Sequence, residues 1–402
     1  MARVLYYCAI AGIGGAERSL LDLLGRLPRD RVTPVLLVPA EGALACEAAK
    51  LGVTVEVMPW PAGLRALGRE RHMMHWLRLL AGPFLLAPLV VRIARRIRAL
   101  RIDLVHTNGT KAHVIGSLAA LLARRPVVWH IRDVIQPGLL RTFLRGLGSV
   151  APRRIIANSK ASAAAFKGSR AARRTVVVYN GIEAAAFRGP AGASALRAAL
   201  GLDDEALVIT TVGALAPLKG HIHLLRAMPR VLQELPGARL LVLGGEMYET
   251  AGHAGYAASL RAEAARLGID GHVIFAGWRP DAAAFYNASD VVVLASIRPE
   301  SFGRVLIEAM ASSRPVIATD LGGPREIITS SDLGLLVPPA DPEALAQAIL
   351  TLGRDRSLRQ RLGAAGRSHV EKRFDLGRHV EEVMSVYGQA LVPEAPQPAL
   401  VA

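Results

Sequence analysis

Cysteine is scarce in this chain of 402 residues, which contains only Cys8 and Cys46. Two cysteines provide neither a disulfide framework nor the paired spacing of a zinc site, and they are typical of a protein in a reducing cytoplasm. The sequence also lacks low-complexity tracts, and 51% of its residues are hydrophobic. These properties predict a folded globular protein, and its length suits two domains of about 200 residues each.

Long apolar runs are missing as well. The apolar stretch from Val4 to Ala11 is too short for a signal peptide, and we expect it to form the first strand. Within residues 76–101, the longest uncharged run extends from Leu79 to Val91, which is too short to cross a bilayer of about 30 Å as a helix. Because four arginines follow it, the segment is suited to lying at a membrane interface. A pair of core-packing helices with a solvated basic face remains the alternative.

Acidic residues are rare in the first half of the chain. The formal net charge is +16, and residues 1–184 contain 28 Lys and Arg against 10 Asp and Glu, whereas residues 185–402 contain 21 against 23. The first half is therefore predicted to meet an anionic partner. Since no recognised nucleic-acid reader motif accompanies the charge, an anionic membrane surface or a lipid-phosphate acceptor is the better match. We expect a cytoplasmic protein that binds peripherally to the inner face of the plasma membrane.

Strand-like apolar runs alternate with helix-like segments, which is the pattern of parallel sheets with crossover helices. In the first half we predict strands near residues 3–10, 32–38, 53–58, 103–106, 126–131, 154–158 and 175–178. In the second half we predict strands near residues 206–212, 238–244, 272–275, 290–295, 315–318 and 335–337. The pattern predicts an α/β protein with two tandem doubly wound domains, residues 1–184 and 185–375, joined by an Ala-, Gly- and Pro-rich linker near 184–205. Such domains bind ligands at the carboxyl ends of their strands.

Two glutamates, Glu300 and Glu308, lie eight residues apart. Phe302 and Gly303 end the loop that carries Glu300, and the helix that carries Glu308 is expected to begin near Gly303. Backbone N–H groups at a helix start attract anions, above all phosphates. One carboxylate before these donors and another two turns later suit a ligand with phosphate and hydroxyl groups, such as a nucleotide sugar. Structural roles remain open, because Glu300 could complement the helix dipole and Glu308 could form a surface ion pair with Arg304.

This segment resembles the E-x7-E signature of retaining glycosyltransferases of the GT-B fold, most closely family 4. The signature usually reads Glu-Gly-Phe-Gly, four further residues, and Glu-Ala-Met-Ala, and here Ser301 replaces the usual small residue. The resemblance implies two Rossmann-like domains that face an interdomain cleft, with a C-terminal helix, residues 376–392, crossing back to the first domain. It also implies a set of donor-binding residues in this segment, namely Glu300, Ser301, Phe302, Gly303, Val305 and Glu308.

Lys219 follows the first strand of the second domain, where a helix is expected to begin. A cation at a helix N-terminus opposes the dipole unless an anion is nearby, which favours a phosphate-binding role. In the family, the pattern Gly-Arg-Leu, three residues, Lys-Gly places two basic residues on the diphosphate, and Lys219 matches the second of them. Ala214 stands where the arginine is expected. The usual two-point clamp is therefore incomplete unless another arginine replaces it.

Three further loops match the family. Gly14 and Gly15 open the first helix and would let donor phosphates or the acceptor approach the backbone; a tight strand-to-helix turn is the alternative. Gly245 lies in the Gly-rich turn after the second strand of the second domain. The turn Trp278–Pro280, which contains Arg279, lies where the family reads the edge of the nucleobase.

His130 ends a strand of the first domain, and His106 ends another. A lone histidine is more often a core or turn residue than a catalytic one. The family, however, places a histidine at a similar strand end, near the donor sugar. We therefore predict His130, Glu300 and Lys219 as the catalytic set, with His106 as a weaker candidate.

The sequence contains no Asp-x-Asp motif, and none of its His, Cys and carboxylate residues have metal-ligand spacing. We therefore expect neither a metal ion nor a cofactor, and the diphosphate charge would be met by Lys219, arginines and helix N-termini. The prediction is a retaining glycosyltransferase that moves a sugar from a UDP- or GDP-linked donor to a glycan or lipid-linked acceptor of the cell envelope. Two alternatives stay open. One is a nucleotide-sugar epimerase or phosphorylase on the same fold, and the other is a non-catalytic module that binds a nucleotide sugar or an anionic surface.

Overall fold

The computed structural model describes residues 1–61, 75–187, 189, 193–203, 205–246, 255–279 and 281–392, and for residues 75–85 it describes the backbone alone. These residues divide into two compact units. Unit 1 comprises Met1–Tyr179 and the described residues from Leu376 onward, and unit 2 comprises Asn180–Asp375.

Unit 1 is built on a parallel sheet with the strand order β3-β2-β1-β4-β5-β6-β7. Its strands are β1 Ala2–Cys8, β2 Val32–Val38, β3 Thr54–Val57, β4 Leu104–Asn108, β5 Val127–Ile131, β6 Arg154–Ala157 and β7 Thr175–Val177. The order reverses between β1 and β4, so the loops after these two strands diverge to opposite sides. Such a reversal creates a crevice at the carboxyl edge of the sheet.

Unit 2 repeats this plan with the parallel order β10-β9-β8-β11-β12-β13. Its strands are β8 Val208–Val212, β9 Arg239–Leu243, β10 Val273–Gly277, β11 Val291–Leu294, β12 Val316–Thr319 and β13 Leu335–Val337. Here the order reverses between β8 and β11. The loops that follow these two strands carry Lys219 and Glu300.

Helices connect the strands of both sheets. In chain order they are α1 Gly15–Arg26, α2 Ala43–Lys50, α3 His75–Ala99, α4 Thr110–Ala123, α5 Leu139–Val150, α6 Lys160–Ala163, α7 Ala193–Ala199, α8 His221–Glu234, α9 Tyr256–Arg266, α10 Ala282–Ala288, α11 Arg304–Ala311, α12 Pro324–Ile327, α13 Pro342–Arg354, α14 Arg356–Arg373 and α15 Leu376–Leu391. None of the helices that the structure describes combines the length and the apolar character needed to cross a membrane.

The strands of unit 1 are apolar on both faces because helices cover both. Successive side chains of a strand point to opposite faces, so Tyr6 packs with α1, α2 and α15, whereas Tyr7 packs with α3, α4 and α5. Burial on both sides explains why these strands read as continuous apolar runs instead of alternating with polar residues.

The predicted α/β class, the doubly wound topology and every predicted strand are confirmed, with strand ends displaced by at most a few residues. The segment near 184–205 differs from its prediction as a linker. It contains helix α7, and unit 2 already begins at Asn180. Alanine has the highest helix propensity, so a composition that reads as a linker can form a helix when neighbouring elements support it.

Candidate active site

Lys219 and Glu300 form an ion pair in unit 2. Lys219 Nζ lies 2.6 Å from Glu300 Oε1, and the hydroxyl of Ser296 donates to the same carboxylate oxygen. The Lys219 and Glu300 side chains are 24% and 15% exposed, so water screens the pair only in part. The pair lies at the carboxyl edge, where the strand order reverses between β8 and β11. Ligands bind doubly wound sheets at this point.

The loops that carry the pair are in direct backbone contact. The N–H of Ile297 donates to the carbonyl of Leu218 at 2.9 Å. Gly220 adopts a φ of 69°, and a Cβ at this position would lie 2.0 Å from the carbonyl oxygen of Ala295. Only glycine tolerates both conditions. The glycine after Lys219 therefore keeps the lysine within reach of Glu300.

The loop after β12 fixes the backbone of Glu300. The N–H of Gly323 donates to the carbonyl of Glu300 at 2.9 Å, and Gly322 forms an isolated parallel bridge with Glu300. A Cβ on Gly323 would lie 2.4 Å from the Cα of Phe302. These two glycines are thus required for close packing around the Glu300 loop.

Helix α11 begins where this loop ends. Gly303 has a φ of 96°, a left-handed conformation that favours glycine, and Arg304 is the first helical residue. The predicted helix start is confirmed. The first N–H groups of a helix have no acceptors within the helix, so α11 presents backbone donors beside Glu300. An anionic group is stabilised at such a position.

Glu308 is held by two donors one helical turn further along α11. Arg304 Nε lies 2.5 Å from Glu308 Oε1, and the hydroxyl of Tyr286 donates to Glu308 Oε2 at 2.9 Å. The ion pair considered from the sequence is present, but its side chains are only 12% and 13% exposed. Burial, followed by the Glu308 charge, raises the pKa of Tyr286 well above its usual value, so the phenol keeps its proton. A carboxylate can accept about four hydrogen bonds, which leaves acceptor capacity for ligand hydroxyls.

The other predicted residues of this segment surround the helix start. Phe302 is buried and packs edge-on against Phe374, with ring centroids 5.5 Å apart. Ser301 and Val305 are half-buried on either side of Gly303. Phe302 therefore anchors the loop in the core of unit 2, while its neighbours remain partly accessible.

Gly245 belongs to a tight contact between the loops after β8 and β9. Its carbonyl accepts from the N–H of Leu215 at 3.0 Å. Gly244 has a φ of 151°, and a Cβ there would lie 1.8 Å from the carbonyl oxygen of Gly213. The turn therefore packs the backbone beside Ala214, the position at which the family arginine is missing.

Arg279 lies after β10 at the same edge of the sheet. Its Nε is 3.3 Å from Asp281 Oδ1, and its guanidinium lies over the ring of Phe285, 5.0 Å from the centroid. Trp278 beside it is 55% exposed. Pro280, the last residue of the predicted base-reading turn, lies outside the described residues.

His130 belongs to a buried polar cluster at the carboxyl edge of unit 1. Its Nδ1 lies 3.3 Å from a guanidinium nitrogen of Arg132, and Arg132 Nε donates to Asn108 Oδ1 at 2.6 Å. His106 Nδ1 lies 2.7 Å from the hydroxyl of Tyr387. The rings of His106 and His130 are 5.2 Å apart between centroids. The structure thus brings the two predicted histidines together.

The environment of both histidines favours their neutral form. Burial lowers the pKa of His130 and of His106 well below the usual value, and the charge of Arg132 lowers both further. Because a guanidinium only donates hydrogen bonds, His130 Nδ1 accepts, and its proton resides on Nε2. Among the described residues, this Nε2 has no hydrogen-bond partner. An unsatisfied buried donor is unfavourable, and the Nε2 of His106 in the same cluster also has no partner among the described residues.

Gly14 and Gly15 occupy the start of α1 in unit 1. The N–H of Gly14 donates to Glu17 Oε2 at 3.0 Å, so Glu17 already satisfies one donor of this helix end. Gly15 has no positive φ, and within the described chain a Cβ there would meet no atom within 4 Å. The fold itself gives no steric reason for a glycine at position 15. This favours ligand approach over the tight-turn alternative.

Four residues at these sites were not singled out from the sequence. Ser296 and Tyr286 hold the two glutamates of unit 2, and Arg132 and Tyr387 hold the two histidines of unit 1. Both tyrosines are fully buried and read as ordinary core residues. Arg132 is 4% exposed, whereas arginine is usually exposed. In the sequence, the one indication of a site role for Arg132 is its position two residues after His130.

A separate cavity of about 510 Å³ lies at the opposite edge of the unit 2 sheet. Its walls include Leu207, Ala238 and Asp290, which immediately precede β8, β9 and β11. These are the amino ends of the strands, whereas ligands of doubly wound sheets bind at the carboxyl ends. We therefore place the candidate ligand site at the Lys219–Glu300 edge.

Known sequence families match both halves of the chain. The pattern of glycosyl transferases group 1 matches residues 193–369, and that of glycosyltransferase family 4 matches residues 13–186. A D-inositol 3-phosphate glycosyltransferase of Segniliparus rotundus is 33% identical over 296 residues, covering 73% of this chain and 62% of that protein's length. A phosphatidyl-myo-inositol mannosyltransferase of Mycobacterium tuberculosis is 30% identical over 294 residues, covering 71% of this chain and 73% of that protein.

A solved structure is similar over nearly the whole chain. HepE from Anabaena, in complex with UDP and glucose, is 29% identical and superimposes with a TM-score of 0.82, covering 96% of this chain and 100% of HepE. HepE in complex with UDP-glucose gives the same TM-score. The similarity confirms the GT-B fold that the sequence predicted.

Proposed function

Because the chain belongs to the family 4 glycosyltransferases, of the group 1 glycosyl transferases, we propose that it transfers a sugar from a nucleoside diphosphate sugar to a phosphate-bearing or lipid-linked acceptor. Unit 2 binds the donor and unit 1 binds the acceptor. The observation that carries this proposal is the Lys219–Glu300 pair, 2.6 Å apart beside the start of α11. A cation and backbone donors at one point suit a diphosphate that gains negative charge as the sugar leaves.

Each side chain of unit 2 has a part in this proposal. Lys219 and the first N–H groups of α11 stabilise the leaving diphosphate, so no metal ion is needed. Glu300 holds Lys219 in place and orients the sugar. Glu308, fixed by Tyr286 and Arg304, accepts hydrogen bonds from the ribose hydroxyls. Family resemblance supports retention of the anomeric configuration, with the acceptor attacking from the side of the leaving phosphate.

Arg304 is the residue that we propose to compensate for Ala214. It is the first residue of α11, so its charge lies at the helix end where the diphosphate is expected. Its pairing with Glu308 holds it there despite the unfavourable helix dipole. Arg304→Ala is therefore expected to raise the KM for the donor, whereas Ala214→Arg is expected to lower it.

The names of the relatives support particular donor and acceptor classes. HepE in complex with UDP-glucose supports a uridine donor, and GDP-linked sugars are the second class to test. Relatives named for D-inositol 3-phosphate and phosphatidyl-myo-inositol support an acceptor that carries both hydroxyl groups and a phosphate. In unit 1, the Nε2–H of His130 and the charge of Arg132 are suited to such a ligand. Assembly of a cell-envelope glycan or glycolipid at the membrane fits this acceptor class.

Heat stabilisation by a panel of UDP- and GDP-sugars, followed by an assay for nucleoside diphosphate release, tests the proposal. We expect one donor to raise the unfolding temperature, and its turnover to require an added acceptor such as D-inositol 3-phosphate or phosphatidylinositol. Interconversion of the donor without acceptor would identify an epimerase instead. Stabilisation without turnover for every acceptor would identify a binding module. Proton spectra of the product give the anomeric configuration.

A further inference from the structure

One helix layer of unit 1 exposes apolar side chains to solvent. Helices α3, α4 and α5 cover the face of the sheet that contains Tyr7 and Trp129. The outer surfaces of α4 and α5 carry a set of exposed apolar residues, namely Leu118, Leu121, Leu122, Leu139, Leu140, Phe143 and Val150. Leu139, Leu140 and Phe143 lie within about one turn of α5, and neighbouring exposed apolar side chains mark an interaction surface.

Helix α5 is the most amphipathic part of this layer, and its orientation is fixed. Leu144 is fully buried, and a Cβ on Gly148 would lie 3.2 Å from Trp129 and 3.3 Å from Phe166. With about 3.6 residues per turn, these two residues define the inner face. Leu139 and Phe143, one turn apart, therefore lie away from it and are 91% and 53% exposed. Rotating the helix to bury Leu139 and Phe143 would move Gly148 away from Trp129 and Phe166.

The same layer is strongly basic. From residue 86 to residue 174 the chain contains 18 Lys and Arg but only Asp103 and Asp133 as acids. The exposed cations on and beside α3 and α4 are Arg92, Arg95, Arg98, Arg101, Lys111, Arg124 and Arg125. In α5, Arg141 and Arg145 are tied to the carbonyls of Ala165 and Lys167. Those two contacts hold the guanidinium groups away from the exposed leucines.

We propose that the outer face of α4 and α5 docks on a bilayer that contains anionic lipids. Leu139, Leu140 and Phe143 enter the interfacial region, and the arginines of α3 and α4 contact lipid phosphates. Apolar anchors beside a cationic field are the combination that binds anionic membranes. A second copy of this chain is disfavoured as the occupant, because two basic layers would repel each other.

Docking through α5 has a consequence for the acceptor. Leu139 follows β5 after a short loop, so the N-terminal half of α5 lies at the carboxyl edge of the sheet, as do His130 and Arg132. This edge then faces the lipid headgroups. A lipid-linked acceptor would be reached through this surface, a role that rests on the proposed function. The apolar contact at α5 is additional to the one predicted for segment 76–101, whose side chains up to residue 85 lie outside the described residues, while the described part of α3 contributes charge.

Vesicle co-sedimentation of the full chain tests this surface without donor or acceptor, so its outcome is independent of transferase activity. The probes are phosphatidylcholine vesicles with and without phosphatidylglycerol. The wild type is expected to bind only the anionic vesicles, and combined Leu139→Ser, Leu140→Ser and Phe143→Ser to reduce partitioning at least about tenfold. Arg124→Ala with Arg125→Ala should weaken binding mainly at low salt.

The matched control replaces three apolar residues that are exposed elsewhere, Leu51→Ser, Val176→Ser and Leu336→Ser, and is expected to bind as the wild type does. Unchanged unfolding temperatures verify that the variants fold. Docking on lipid is overturned if the wild type ignores both vesicle types, or if the α5 variant binds as well as the wild type. A dimer of the wild type that the α5 variant abolishes would also overturn it, because a second copy would then cover this face.

Discussion

Replacing Lys219 by methionine tests whether Lys219 and Glu300 act as a coupled pair. The change keeps a long side chain but removes the charge that lies 2.6 Å from Glu300 Oε1, leaving the carboxylate with the hydroxyl of Ser296. Removal of one partner from a fully buried ion pair costs about 3–5 kcal/mol. Since these side chains are 24% and 15% exposed, solvent screening reduces the expected loss to about 2 kcal/mol.

Thermal unfolding measures this loss. For a domain of the size of unit 2, 1 kcal/mol corresponds to about 2–4 °C, so Lys219→Met is expected to lower Tm by about 4–8 °C. Glu300→Gln in the same chain removes the isolated charge and should restore part of the loss. The four proteins of the double-mutant cycle are expected to give a coupling energy of about 1–2 kcal/mol.

An exposed pair supplies the matched control. Lys50 Nζ lies 2.7 Å from Glu47 Oε1, but these side chains are 65% and 40% exposed. Lys50→Met is therefore expected to leave Tm unchanged, because solvent screens such pairs. Additive effects of Lys219→Met and Glu300→Gln, within about 0.3 kcal/mol, would refute the coupling.

Three further outcomes are expected. Tyr286→Phe keeps the buried ring but removes the hydroxyl that donates to Glu308. The KM for the sugar donor should therefore rise about fivefold with little change in kcat. An unchanged KM would show that Glu308 does not bind the sugar donor. Gly220→Ala should lower stability by about 2–3 kcal/mol in chemical denaturation, because the new Cβ would lie 2.0 Å from a carbonyl oxygen. Gly237→Ala is the control and should be tolerated, because its Cβ would meet no atom within 4 Å among the described residues. The free energy of unfolding of unit 1 should fall by about 4 kcal/mol between pH 7.5 and 5.5. Burial lowers the pKa values of His106, His113 and His130, whereas the unfolded chain protonates them below about pH 6.5. Equal stability at both pH values would contradict this.

The sign of the pH effect follows from proton binding. A histidine whose folded pKa is below its unfolded pKa binds fewer protons in the folded state, so stability is lost as pH falls through the unfolded value. Each such histidine contributes about 1.4 kcal/mol over this window. Carboxylates with lowered pKa values lose stability in the same direction but at more acidic pH, whereas Asp133, whose pKa is raised by burial, acts in the opposite direction.

The fold could be predicted because its pattern is local. The apolar strand runs and the alternation with helices require only neighbouring residues, and β2, Val32–Val38, lies where the sequence places it. Convergence of Lys219 and Glu300 was also predictable, since both follow strands of one parallel sheet. Their pairing was not predictable, because we expected a ligand to supply the anion near Lys219. In the structure, the carboxylate of Glu300 lies there instead.

The other contacts of the candidate site could not be predicted because they join side chains that are distant in the sequence. Tyr286 reaches Glu308 from another helix, and Tyr387 reaches His106 although 281 positions separate them. Hydrophobicity alone assigns both tyrosines to the core, and their hydroxyl partners depend on tertiary packing. The exposed face of α5 could not be predicted for a related reason. The sequence does not show which side of this helix faces the sheet, whereas the buried Leu144 and the contacts at Gly148 do.

Donor-dependent release of nucleoside diphosphate by the wild type, Lys219→Ala and Glu308→Ala, in the presence of the donor that stabilises the protein, tests the central claim most directly. We expect acceptor-dependent release by the wild type and a rate at least about tenfold lower in each variant, with both variants folded at the assay temperature. Near-normal turnover in both variants would contradict the assignment of the unit 2 edge as the site of sugar transfer.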